Sequence, residues 1–191
     1  TLRDDPHHQW TPSTPMPELA AELTAHRAAL AGAAQPPPLA VVTASGELPA
    51  AHPALSAPQT DVLVITTEAG AGRLPPLHPR VRVAVTAPGG NISADAIVGA
   101  VRSQLRAVTI LCEGGPRLFG DLLQGGWVDE LFLTLAPQLA GRSEAAARPG
   151  LVAGHAFLPD QASRLELRSL RRSGDHVFVR YAVGEGERRP A

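Results

Sequence analysis

Apolar and polar positions along this chain follow three rhythms, and each rhythm predicts a different element. Short unbroken apolar runs, rich in valine and isoleucine, occur at Leu39–Thr43, Asp61–Thr67, Val81–Val85 and Val108–Cys112. Runs of that length and composition predict strands buried on both faces, as in a parallel sheet. A further strand is expected within Trp127–Ala136, entered through the acidic pair Asp129-Glu130 and left through Pro137. Alternation in period two appears at Arg164–Leu170 and again at His176–Val183, around Ser173-Gly174-Asp175. That pattern predicts an antiparallel hairpin with one wet face. Helical spacing appears in three places. Ser13 opens a stretch marked by Leu19, Leu23 and Leu30; Ser93 precedes Ile97, Val98, Val101 and Leu105; Leu118, Leu122 and Leu123 precede Gly125-Gly126. Strands alternating with helices, then a hairpin, define an α/β domain with a mixed, mostly parallel sheet.

The stretch from Val108 to Leu123 organises the rest. It reads as strand, Glu113, the Gly114-Gly115 turn, Pro116 and then helix. Proline is welcome at a first helical position because the N–H it lacks would have been unpaired there. Such a turn aims free N–H groups and the positive end of a helix at an anion above the sheet edge. The same sequence also serves as a plain tight connection. Glu113 has two readings as well: it accepts from the N–H groups of its own turn, or it faces a ligand.

Charge and composition narrow the chemistry. The chain has 191 residues and a net charge of −1, which speaks against a nucleic-acid surface. All 17 basic residues are arginine, so any phosphate clamp must use arginine, histidine or backbone N–H groups, and a lysine Schiff base is excluded. Cys112 stands alone, which rules out an internal disulfide and a cysteine metal cluster. His7 and His8 are adjacent and point apart in a strand or a helix, so no metal site is expected. No membrane-spanning run or signal peptide is visible, and a cytoplasmic location is expected. One domain over residues 1–184 is predicted, with a disordered tail over 185–191.

Three further places are candidates for chemistry. Thr1-Leu2-Arg3-Asp4-Asp5-Pro6 reads as a solvated Asp-Pro turn or as a ligand loop. Ser45-Gly46 ends the Leu39–Thr43 strand in a turn that needs no ligand but can meet one. Arg73, beyond the strand-end pair Thr66-Thr67 and a glycine-rich loop, is either solvated or a receptor for a dinucleotide's ribose phosphate.

The order Glu113-Gly114-Gly115-Pro116-x-Leu118, Val128-Asp129-Glu130-Leu131, Ala136-Pro137-x-Leu139-x-Gly141 resembles the C-terminal reductase domain of the riboflavin-biosynthesis deaminase/reductase family. Thr1–Pro6 and Ser45-Gly46-x-Leu48-Pro49 resemble two more of its loops. The resemblance implies a dihydrofolate-reductase-like three-layer fold, here expected to lack its first strand and helix. It implies NADPH as cofactor, with hydride transfer to the open-chain ribosyl group of 5-amino-6-(5-phosphoribosylamino)uracil, a pyrimidine-ribose substrate. It assigns Glu113 and Asp5 to catalysis, Glu113 to substrate, and Thr1, Asp5, Ser45, Gly114, Gly115, Pro116, Arg117 and Leu118 to the cofactor. A homodimer is expected, because the Asp129–Ala136 strand and the hairpin offer exposed edges. The segment after Pro6 departs from the family: His7-His8-Gln9-Trp10-Thr11 stands where a substrate-holding arginine motif is usual. That departure keeps two alternatives open: another NADPH-dependent reductase on this scaffold, or a non-catalytic nucleotide-binding or dimerising relative.

Overall fold

The structure, a computed structural model, describes residues 16–31, 36–56, 58, 60–139, 150–157 and 162–184. It is mixed α/β, and the chain divides into two compact units, Thr1–Ile110 and Leu111–Ala191.

The first unit is built on a parallel sheet in the order β1 (Leu39–Thr43), β2 (Val62–Thr67), β3 (Val81–Ala87). β2 is central, and all six of its residues are buried, which explains its unbroken apolar sequence. On one side Leu55, Val62, Val64 and Val81 form a core with Leu39 and Val41 against them. The other side is served by α4 (Ala94–Leu105), which packs on β2 and β3 through Ile97, Val98 and Val101. Ser93 starts that helix: its side chain accepts from the N–H of Ala96 at 3.2 Å, satisfying one orphan donor. Ahead of the sheet, a 3₁₀ turn (Pro17–Leu19) leads into α1 (Ala20–Ala31), on which His26 and Leu30 are exposed. Two short helices fill the crossovers, α2 (Pro53–Ser56) and α3 (Glu68–Ala71). The stretch holding α3 reads from sequence as loop. Thr67 makes the difference, because its hydroxyl accepts from the N–H of Gly70 at 2.9 Å and closes one helical turn.

The second unit holds α5 (Pro116–Gln124) and an antiparallel sheet in the order β4 (Glu130–Leu135), β6 (His176–Val183), β5 (Leu165–Ser173). The hairpin turns at Gly174-Asp175 as its alternation predicts. One sheet face carries Leu131, Leu133, Val179 and Tyr181 in register, and Leu131 and Val179 are buried. On the other face Arg180 lies over the Phe132 ring at 5.6 Å and bonds Glu130 through two nitrogens. The Glu130 hydrogen bond, and then its charge, hold the Arg180 guanidinium above its ordinary value.

The Val108–Cys112 strand is a correction. Residues 106–115 form no strand, and Val108 and Leu111 are 93% and 74% exposed. A β-branched run becomes a strand only when a neighbour takes its backbone hydrogen bonds. Neither ladder among the described residues includes it, and it forms the connection between the two units. Cys112 is accordingly half-buried rather than a core residue.

Candidate cofactor site

Parallel strands bring the loops that leave them to one edge of a sheet, where ligands of open α/β sheets bind. In the first unit two of those loops are tied together. The Thr66 hydroxyl donates to the Thr43 carbonyl at 2.7 Å, and the Thr67 hydroxyl donates to Ala44 O at 3.0 Å. The Gly46 N–H donates to the Thr43 hydroxyl at 3.1 Å. Gly46 has φ +72°, and a Cβ built on it would stand 1.9 Å from Gly70 O. Only glycine permits that approach, and it brings the β1 loop against α3. Ser45, the sequence candidate here, is half-buried; its hydroxyl accepts from the Glu47 N–H at 3.3 Å, and its carbonyl accepts from Arg73 Nε at 2.8 Å.

The second unit, taken by itself, holds the Glu113–Leu118 turn. α5 begins at Pro116 with Gly115 as N-cap in extended conformation (φ −68°, ψ 171°), and no side chain caps it. The first intrahelical bond runs from Phe119 N to Gly115 O at 3.1 Å, so the N–H groups of Arg117 and Leu118 precede it. The two glycines have different reasons to be glycine. A Cβ on Gly114 would meet Leu118 Cδ2 at 2.5 Å, whereas one on Gly115 would meet nothing within 4 Å. Open space beside uncapped N–H groups is what a diphosphate requires, and these residues fit the pyrophosphate of a dinucleotide. Glu113 is exposed and bonds no described residue, so the capping alternative for it is not realised. Its expected place at the end of a buried strand is corrected with that strand. Arg117 is exposed, and Leu118 is half-buried under the turn.

Sequence reasoning missed two features. A segment over residues 151–157 lies along α5: Ala153 N donates to Pro116 O at 3.1 Å, and His155 Nε2 meets Asp121 Oδ1 at 2.7 Å. Gly120 makes room, since a Cβ there would stand 2.8 Å from Ala153 O. Nothing in the local sequence announces a partner 34 residues away. The second omission is the stitching role of Thr66 and Thr67, both buried. Thr1 and Asp5 lie outside the described residues, as do His7, His8, Trp10 and Ser13. Among the described residues no group of three or more His, Cys, Asp or Glu could hold a metal, and no helix is long and apolar enough to cross a membrane.

Comparison with solved structures gives the class of this fold. The chain is similar to a pyrimidine reductase-like protein from Corynebacterium diphtheriae, at 24% identity and TM-score 0.65, over 86% of this chain and 67% of that one. It is also similar to RibD from Acinetobacter baumannii, at 20% identity and TM-score 0.57, over 76% and 37%. A third is a diaminohydroxyphosphoribosylaminopyrimidine deaminase/5-amino-6-(5-phosphoribosylamino)uracil reductase from Thermotoga maritima, at 14% identity and TM-score 0.60, over 92% and 50%. The mixed α/β fold is therefore that of the RibD-type reductases, and the chain spans half or less of the last two proteins. No curated protein matches the sequence. The chain belongs to the RibD C-terminal domain family, whose model matches residues 2–179.

Proposed function

We propose that this chain is an NADPH-dependent reductase of riboflavin biosynthesis that converts the ribosyl side chain of 5-amino-6-(5-phosphoribosylamino)uracil to the ribityl product. The uncapped start of α5 carries the reading: Arg117 and Leu118 offer two N–H groups beside an N-cap, Gly115, that leaves open space. Family membership supports the reaction class. In this reading Gly114, Gly115, Pro116, Arg117 and Leu118 surround the pyrophosphate, and Ser45, Thr1 and Asp5 contact the rest of the cofactor. Bound NADPH supplies the hydride, so the chain's task is to hold donor and acceptor carbons together and to polarise the acceptor. Glu113 accepts hydrogen bonds from the substrate, and Asp5 lies near the nicotinamide ribose or the substrate; neither is a nucleophile. The protein acts in the cytoplasm as a homodimer. Exposed Phe132 and Leu135 on β4, with Leu167 and Leu170 on β5, motivate the pairing, because both strands are sheet edges. A monomer mass by light scattering at micromolar concentration would count against it.

Glu113→Gln tests the substrate role. The side chain is exposed and bonds no described residue, so the melting temperature and the NADPH affinity should not change. Loss of a charge-assisted hydrogen bond to substrate should lower kcat/KM by roughly ten- to a thousandfold. Unchanged turnover removes Glu113 from the site. Failure of the native chain to bind NADPH by calorimetric titration removes the reductase reading altogether and leaves a non-catalytic relative.

A further inference from the structure

We propose that residues 73–79 display a preformed ligand for a proline-recognising protein domain of the SH3 kind, whose groove is lined by aromatic rings and closed at one end by carboxylates. This interaction surface lies wholly within the first unit and is independent of the cofactor reading.

The crossover from α3 to β3 reads Arg73-Leu74-Pro75-Pro76-Leu77-His78-Pro79-Arg80. Proline fixes its own φ at about −65°, and the residue before a proline is held to extended backbone. Those two rules restrict every residue from Leu74 to Pro79 except Leu77. Residues 74–78 accordingly form neither helix nor strand, and they run between a turn at Gly72-Arg73 and another at Pro79-Arg80. Such a chain favours the polyproline II helix, in which positions three apart share one edge.

Burial follows that period. Leu74 and Leu77 pack on the core of Leu55, Val62, Val64 and Val81. Pro75 and His78 are half-buried, whereas Arg73, Pro76 and Pro79 are exposed. The fold thus uses one edge and leaves two. Those two form the pairs Pro75-Pro76 and His78-Pro79, each a residue followed by proline, which is the unit that an aromatic-lined groove reads. The leucine edge is the one that a bound ligand turns away from the groove.

Arg73 stands three residues before Pro76 on the same edge, where carboxylates at the groove's end can meet it. Its Nε donates to Ser45 O at 2.8 Å, and its terminal nitrogens bond no described residue. The carbonyls from Arg73 to Leu77 accept no backbone N–H among the described residues, so they remain for a partner's donors. His78 ties the far end down: its N–H donates to Leu55 O at 3.2 Å, and its carbonyl accepts from Val81 N at 2.8 Å. Held at both ends, the segment has already lost the freedom that a free peptide surrenders on binding. Stiffening the crossover is the structural use of these prolines, but it requires no arginine at this spacing.

The probe is an isolated, isotope-labelled SH3 domain that prefers ligands of the form Arg-x-x-Pro-x-x-Pro. Nuclear magnetic resonance follows its groove tryptophan as the full chain is added and, in parallel, the peptide Arg-Leu-Pro-Pro-Leu-His-Pro. The full chain should bind in the micromolar range and at least as tightly as the peptide. Pro76→Ala removes ring contacts and should weaken binding about tenfold. Arg73→Gln removes the charge-assisted bond and should also cost about tenfold. Arg80→Gln, off this edge, should stay within about twofold. Circular dichroism melting of each variant establishes that these exposed substitutions leave the chain folded. Binding by the peptide but not by the full chain shows that the fold withholds the segment, and it overturns the proposal. Binding that survives both Pro76→Ala and Arg73→Gln overturns it as well, as does no binding by either ligand.

Discussion

Gly46→Ala probes the contact that holds the first unit's strand-end loops together, and its cost follows from two separable terms. The first is conformational. Gly46 has φ +72°, a left-handed value that an L-residue adopts at a cost of about 1 kcal/mol. The second is steric, because the new Cβ would lie 1.9 Å from Gly70 O, a backbone atom that cannot rotate away. The Ser45-Gly46 loop must then withdraw from α3 by about 1.5 Å to restore ordinary contact. Withdrawal breaks two hydrogen bonds that cross between the loops, Arg73 Nε to Ser45 O and Thr67 Oγ1 to Ala44 O. Each is worth about 1 kcal/mol, so the total is about 3 kcal/mol. Gly90 supplies the control, since it has the same φ of +72° and nothing within 4 Å of its would-be Cβ. Gly90→Ala should cost only the conformational term, about 1 kcal/mol. Urea denaturation followed by circular dichroism, with an unchanged m-value, measures both. Equal losses for the two variants would refute the steric argument and the loop contact with it.

Two further predictions test the helices α4 and α5. Arg106 closes α4 with φ 53° and ψ 34°, where glycine is at ease. Arg106→Gly should therefore raise stability by about 0.5 kcal/mol, the relief of strain being partly offset by losing a cation at the helix C-terminus; a lowered melting temperature would contradict this. Along α5, His155→Ala removes a half-exposed pair and should cost about 1 kcal/mol at most. Gly120→Ala should cost more, because its Cβ would press on a backbone carbonyl that the Ala153–Pro116 bond holds in place. The reverse order in denaturant titrations would show that residues 151–157 do not hold α5 as described.

Much of the fold was legible because its causes are local. Leu39–Thr43 was bounded correctly from its own composition, and the six apolar and threonine residues of β2 announced a strand buried on both faces. Ser93 named the start of α4, since an N-cap works through a hydrogen bond three residues long. Gly174-Asp175 set the hairpin, whereas period-two alternation on either side did not predict the register shift between Leu167 and Ser169. The turn chemistry of Gly114-Gly115-Pro116 was equally readable.

Tertiary structure decided what depends on distant partners. Val108–Cys112 has every local property of a strand and is not one, because a ladder needs a neighbour and none among the described residues pairs with it. Thr66 and Thr67 look like ligand groups in sequence and are stitches in space, their hydroxyls donating to carbonyls 23 residues earlier. Gly46 and Gly70 are unremarkable glycines until a Cβ on Gly46 is seen to strike Gly70 O, and one on Gly70 to strike Thr66 Oγ1 and Ala44 O. The Asp121–His155 pair spans 34 residues and leaves no local trace. The sequence by itself determined which segments would become strands, helices and turns, since those follow from hydrogen bonds and sterics within a few residues. Which hydroxyls, carbonyls and guanidinium nitrogens remain for a ligand was decided only when the loops met, because availability is what the long-range partners leave over.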